Sequence, residues 1–344
     1  MNYKKYIDNI GQLNKAELAE LLANFTEEDR LYAESEARRV TEERFGRKIY
    51  IRGLIEFTNI CHNDCLYCGI RCSNKCVERF RLSDDEIMAC CENGYRLGFR
   101  TFVLQGGEDG FYDDDKMCKL IARIREAYPD CAITLSIGER SRESYQRMYD
   151  AGADRYLLRH ETANAEHYAK LHPAVMSYDN RMRCLKDLHE IGYQTGCGFM
   201  VGSPYQTAET LAEDLLFIRE FKPEMVGIGP FLPQSGTPFG EFQAGSVDMT
   251  VFLISLIRLM LPDVLLPATT ALGSAEDDGR IRGILAGANV YMPNLSPEEN
   301  RSKYLLYDNK AGLKDEASYV LEQLDIKLKK LGYSIAVTRG DYGE

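Results

Sequence analysis

Beyond residue 50 the chain alternates between short apolar runs and longer stretches whose apolar positions recur every three or four residues. The short runs lie at 51–57, 101–105, 132–137, 155–159, 194–201, 225–229, 264–269 and 288–292, and their content predicts strands. The longer stretches, at 84–97, 116–127, 142–151, 180–191, 208–221 and 250–261, predict amphipathic helices. Gly98, Gly152 and Gly192 stand where helix C-caps are expected before the next strand. Upstream, over 15–45, Leu18, Leu21, Leu22 and Phe25, then Leu31, Ala33 and Val40, recur between charges. The break at Thr26-Glu-Glu-Asp29 predicts two helices there, the second capped by Thr26. Strands alternating with helices imply a parallel sheet. Eight strands imply a complete (β/α)8 barrel of the TIM type, with chemistry at the C-terminal ends of the strands. Residues 1–344 then form one domain: a helical extension over 1–48, a barrel over 49–300, and a cap over 301–344 built on a helix at 316–330.

Composition narrows the setting. A length of 344 residues suits one such barrel. The longest apolar run, 251–266, is interrupted by Arg258, Pro262 and Asp263, so no membrane span is expected. The start, Met1-Asn-Tyr-Lys-Lys5, has no apolar core and no cleavage site, which argues against secretion. Eleven scattered cysteines, an odd number, suit a reduced cytoplasm better than a disulfide framework. A net charge of −11 makes nucleic acid a poor partner.

The sharpest local signal is Cys61-His-Asn-Asp-Cys65-Leu-Tyr-Cys68, a C-x3-C-x2-C run with Tyr67 before its last cysteine. Three thiolates can bind three irons of a [4Fe–4S] cube and leave the fourth open to a small molecule. The run resembles the radical S-adenosylmethionine (radical SAM) signature. It follows the first predicted strand, where an active-site loop of a barrel belongs. The rival is zinc, but a structural zinc site usually takes four protein ligands, commonly as two pairs, and there is no second C-x2-C pair. Cys72 and Cys76 lie just past the motif and read as free thiols, and Cys90 and Cys91 as near-core thiols of a helix.

Polar groups then recur at strand ends. The second strand ends in Gln105-Gly106-Gly107-Glu108-Asp109, where paired glycines let backbone carbonyls approach a ligand's ammonium group or simply make a turn. The third offers Thr134, Ser136 and Glu139. The fourth carries Arg155, Arg159, His160 and Glu161, groups too costly to bury without partners. Glu161 suits ribose hydroxyls, either arginine suits a carboxylate, and a rim of structural salt bridges is the alternative. His160 reads best as a core histidine pointing away from its neighbours. Met200 in the fifth strand fits adenine packing or plain core equally. Thr269 and Thr270 at the seventh offer two hydroxyls, and Tyr304 and Tyr307 are placed to fold back over the mouth.

Together these runs resemble the radical SAM maturase E family of [FeFe]-hydrogenase (HydE), whose members take part in building the H-cluster. The likeness spans roughly 50–308 and includes Leu104-Gln-Gly-Gly-Glu-Asp109, the run from Ala151 to Asn164, Met225-Val-Gly-Ile-Gly-Pro-Phe231, Pro267-Ala-Thr-Thr-Ala271 and Gly287-Ala-Asn-Val290. Biotin synthase and methylornithine synthase share the barrel and the cysteine loop. The resemblance implies that Cys61, Cys65 and Cys68 ligate the cluster. It also implies that Gln105, Gly106, Gly107, Ser136, Glu161, Arg181, Met200 and Tyr304 surround SAM. Thr134, Arg155, Arg159, Thr269 and Thr270 are then expected to line the pocket of a small cysteine-bound iron carbonyl–cyanide substrate. A one-electron donor such as ferredoxin or flavodoxin, and the other hydrogenase maturases, are the implied partners. Some members hold a second cluster on three C-terminal cysteines; nothing beyond Cys197 is a cysteine here, so none is expected. A methylornithine- or biotin-synthase-like enzyme and a non-catalytic iron–sulfur scaffold remain the alternative readings.

Overall fold

The computed structural model describes residues 3–344. Eleven short strands are assigned: β1 Lys48–Ile51, β2 Gly53–Thr58, β3 Thr101–Gly106, β4 Ala132–Ser136, β5 Arg155–Leu157, β6 Gln194–Cys197, β7 Met200–Val201, β8 Met225–Val226, β9 Gly229–Pro230, β10 Val290–Tyr291 and β11 Ser334–Ala336. β2, β3, β4, β5, β6 and β8 pair in that order, all parallel. β7 and β9 continue the fifth and sixth staves and pair with each other. The ring closes through single bridges, Met225 to Leu265, Pro267 to Val290 and Leu54 to Asn294, together with the β1–β10 ladder. The structure is therefore a complete eight-stave barrel. The seventh stave, predicted as a strand over 264–269, is only two bridges long, because Pro267 has no N–H to give a ladder.

Helices run outside each stave, and their ends follow local chemistry. Thr26 caps Glu27–Phe45 in a reciprocal pair with Asp29, as its sequence position predicts, and Ser83 does the same with Glu86 for Asp84–Arg96. Gly98, Gly152 and Gly192 all take positive φ where their helices end. The helix Val247–Met260 is buried nearly all round, since Glu27–Phe45 covers its outer side. That explains an apolar run that spans no membrane: no helix among the described residues is long and apolar enough to cross one.

Two features of the C-terminal part differ from expectation. The helix Ala317–Lys330, with Leu324 and Leu328 buried, leads from the mouth segment to β11. The mouth is covered instead by residues 303–312, which place Tyr304, Leu306 and Tyr307 over the cavity. Lys310 Nζ reaches inward to Glu56, whose other oxygen accepts from Asn294 Nδ2, and also donates to the Tyr304 carbonyl at 2.9 Å. At the opposite end β11 pairs with β1. Residues 339–341 then close the floor, where Arg155 donates to the carbonyls of Arg339 and Gly340 and to Asp341 Oδ1.

Candidate active site

The loop after β2 is held by its own polar residues. Asn59 Oδ1 accepts the N–H of Phe80, and Asn59 Nδ2 donates to the carbonyls of Glu78 and Lys303. Arg79 donates to four carbonyls, those of Asn59, Ile70, Arg71 and Asn74. Asp64 accepts from Arg71 and Ser73, and the Arg71 guanidinium holds its carboxyl well below the usual carboxylate range. The loop so folded turns Cys61, Cys65 and Cys68 into one cavity of about 300 Å³. Burial pushes all three thiols up, Cys68 to about 12, so metal capture has to displace a proton from each. Among the described residues no three His, Cys, Asp or Glu side chains close on a single-ion site. Cys72 and Cys76 are exposed and line no part of this cavity.

The glycines beside the loop are explained by packing. A Cβ on Gly107 would lie 2.2 Å from the Ile60 carbonyl oxygen, and one on Gly106 would lie 2.7 Å from Thr58 Cγ2. The pair lets the cysteine loop lie directly on β3, and Glu108 N–H then reaches Cys61 Sγ at 3.4 Å. Gln105 Nε2 stands 3.4 Å from the Tyr304 hydroxyl, so stave two and the mouth segment meet over the cavity. Ser136, Arg159, Glu161, Arg181, Met200 and Thr269 complete the walls. Arg181 is spoken for on two nitrogens, by Glu139 Oε1 and the Arg159 carbonyl, each at 2.5 Å. Arg159 Nη2 lies 3.5 Å from Glu161 Oε2, an attraction too long and misaligned for a hydrogen bond. Arg159 Nε and Nη2, Glu161 Oε2 and Thr269 Oγ1 have no hydrogen-bond partner. Buried polar atoms left unpaired are costly, and their convergence on one cavity marks it as built for a polar ligand.

Three expected pocket residues are not in these walls. Arg155 faces inward like Arg159 but four residues lower, and its guanidinium is used up on the floor. Thr134 lies one inward layer below Ser136, with its hydroxyl buried and unpartnered. Thr270 begins the helix Thr270–Ala275 and faces a small recess beside Met292, Asn294 and Lys310. His160 points outward to Asp214, as a core histidine. Met176, whose Sδ is 3.6 Å from Cys65 Sγ, enters the cavity from a linker with no sequence signal of its own. Tyr67 is held by His172, whose Nδ1 faces the Tyr168 carbonyl and must carry the proton, and burial pushes His172 down to about 3, keeping it neutral. Nε2 is therefore bare, and the Tyr67 hydroxyl donates to it at 3.1 Å. A wider, more open groove of about 610 Å³ runs outside Glu108 past Asp113, Asp114 and Arg140, but no thiol opens into it.

Residues 55–218 match the Radical SAM superfamily, from the strand before the cysteine loop to the helix after the fifth stave. With the closed barrel and the three-thiol cavity at its mouth, this defines a radical SAM enzyme, one that cleaves SAM with a [4Fe–4S] cluster. The chain is 45% identical over 265 residues to the [FeFe] hydrogenase maturase subunit HydE of Thermotoga maritima, covering 77% of this chain and 75% of that protein. It belongs to the HydE family. The 3-methylornithine synthase of Methanosarcina barkeri is more distant, 30% identical over 320 residues that cover 92% of this chain and 89% of that one. The crystal structure of methylornithine synthase (PylB) superposes with a TM-score of 0.85 at 28% identity, over 97% of both chains.

Proposed function

We propose that this enzyme acts in [FeFe]-hydrogenase maturation on a small, sulfur-containing, cysteine-bound iron carbonyl–cyanide substrate. The observation that carries the reading is the set of unpartnered atoms on Arg159, Glu161 and Thr269, converging on a cavity walled by three thiols. Cys61, Cys65 and Cys68 hold the cluster. Glu161 accepts the ribose hydroxyls of SAM, Arg181 meets its carboxylate, and Gln105, Gly106, Gly107, Ser136, Met200 and Tyr304 frame the rest. Arg159, with two nitrogens that make no hydrogen bond, and Thr269 face the anionic end of the substrate, and Thr134 lies beneath them. When bound, the cluster and SAM would supply the radical chemistry: one electron from an external donor would break the C5′–S bond, release methionine and leave a 5′-deoxyadenosyl group directed at the substrate sulfur. The chain's own part is orientation and exclusion of water: Tyr304 and Tyr307 close the mouth, and Arg181 is held in place by Glu139. No acid–base pair is required. Ferredoxin or flavodoxin as electron donor, and the other maturases as source and recipient of the iron unit, complete the proposal.

The reading is tested by anaerobic mass spectrometry of adenosyl products. Reconstituted protein, SAM and a strong reductant are incubated with the cysteine-bound iron carbonyl unit or with lysine. An adenosyl group added to the sulfur compound is the expected result. Turnover of lysine would move the enzyme to the methylornithine-synthase reaction, and an intact cluster with no SAM cleavage would leave a scaffold or a substrate other than these two.

A further inference from the structure

Glu161 has φ of +64°, a left-handed conformation that residues with a Cβ avoid unless their surroundings over-determine it. Those surroundings lie behind the barrel wall, away from the cavity. Glu161 N–H donates to the Gly198 carbonyl at 3.0 Å, beside a parallel bridge to Phe199. Gly198 is itself locked: a Cβ there would lie 2.0 Å from the Gly227 carbonyl oxygen. Gly198 N–H donates to His160 Nδ1 at 3.2 Å. Nδ1 therefore accepts, and the proton of the neutral ring sits on Nε2, which lies 3.3 Å from Asp214 Oδ1 without making a hydrogen bond. The same Asp214 oxygen accepts the N–H of Ala163 at 2.5 Å. Both side chains are fully buried, the imidazole between Phe199 and Phe217. Burial pushes His160 down to about 3, so the ring stays neutral at any working pH.

An apolar pair would fill this space without the cost of burying polar groups. What the imidazole and carboxyl add is two directed acceptors, one for the Gly198 N–H of the neighbouring stave and one for the Ala163 N–H at the end of the turn. We infer that His160 and Asp214 are positioning residues. From outside the barrel they fix the turn at 160–163 so that the Glu161 carboxylate faces the cavity, ready for the vicinal hydroxyls of a ribose. The inference rests on the assignment of Glu161 to SAM made above.

The test is SAM binding to the cluster-reconstituted protein, by anaerobic equilibrium dialysis without reductant, in a double-mutant cycle. His160→Leu is expected to weaken SAM binding about tenfold, ~1.4 kcal/mol. His160→Asn places an acceptor near Nδ1 and is expected to stay within about twofold of wild type. In a Glu161→Gln background, His160→Leu is expected to cost little more, because its effect runs through Glu161. Unchanged binding in His160→Leu, failure of Asn to rescue, or a full tenfold loss persisting in the Gln background would each overturn the inference. If Glu161→Gln alone leaves SAM affinity intact, the assignment of Glu161 fails instead. Should His160→Leu fold poorly, His160→Phe, closer to the ring in shape, takes its place in the same cycle with the same expected outcomes.

Discussion

Arg155 begins β5 and Arg159 lies two residues past its end; four residues of nearly extended chain would set them about 13 Å apart. One meets the floor and the other the cavity. Arg155→Met is accordingly expected to lower stability by about 3–5 kcal/mol in urea unfolding while SAM affinity holds, because it strips the floor of a buried charge partner. A pocket residue would give the opposite pattern. The strand's alternation shows in the sequence that both arginines face inward, but depth along the strand depends on where the barrel's layers fall. The same rule separates Ser136 from Thr134. Thr269 and Thr270 differ for another reason: the second already belongs to a helix, so adjacent hydroxyls diverge. Arg79, which ties the cysteine loop, and Met176, which enters beside Cys65, carry no local pattern, since their partners are main-chain atoms or a distant thiol.

Among the elements, the cysteine loop was the most legible, because its chemistry depends on a spacing of seven residues and on the strand before it. The mouth segment was half legible. Tyr304 and Tyr307 stand over the cavity as their position suggests, but the return of the chain after the C-terminal helix to pair β11 with β1 has no signal in the sequence. The segment is pinned by Lys310, buried against Glu56. Lys310→Met leaves that carboxylate with Asn294 alone and is expected to cost about 3–5 kcal/mol. Hydrogen exchange should then quicken across 303–312, and Glu56→Gln in the same chain should restore part of the loss. Unchanged exchange in Lys310→Met would show that the pair does not hold the mouth.

At the scale of the molecule, eight alternations of pattern were enough to predict a closed barrel, since each stave pairs with its neighbour in sequence. The floor was not predictable: β11 pairs with β1 across nearly the whole chain, and its three residues have no distinctive periodicity. The buried histidines make a global prediction. Burial, and then the charge of Arg181, push His172 down to about 3, so between pH 6.5 and 3 the unfolded chain takes up a proton that the folded one refuses. Stability falls as pH falls through that window. His172→Gln, which keeps an acceptor for Tyr67, is expected to flatten the slope by up to about 1.4 kcal/mol per pH unit in urea titrations between pH 6.5 and 4.

The floor also sets a timetable. On a ribosome making about 5–20 residues per second, β11 emerges roughly fifteen to sixty seconds after the β1 strand it braces. Throughout that interval the nascent barrel carries an unpaired edge, the kind that invites pairing with a neighbouring chain. The cysteine loop, by contrast, is synthesised early and within one stretch. The thiols that take up iron and the strand that closes the floor thus leave the ribosome at opposite ends of synthesis.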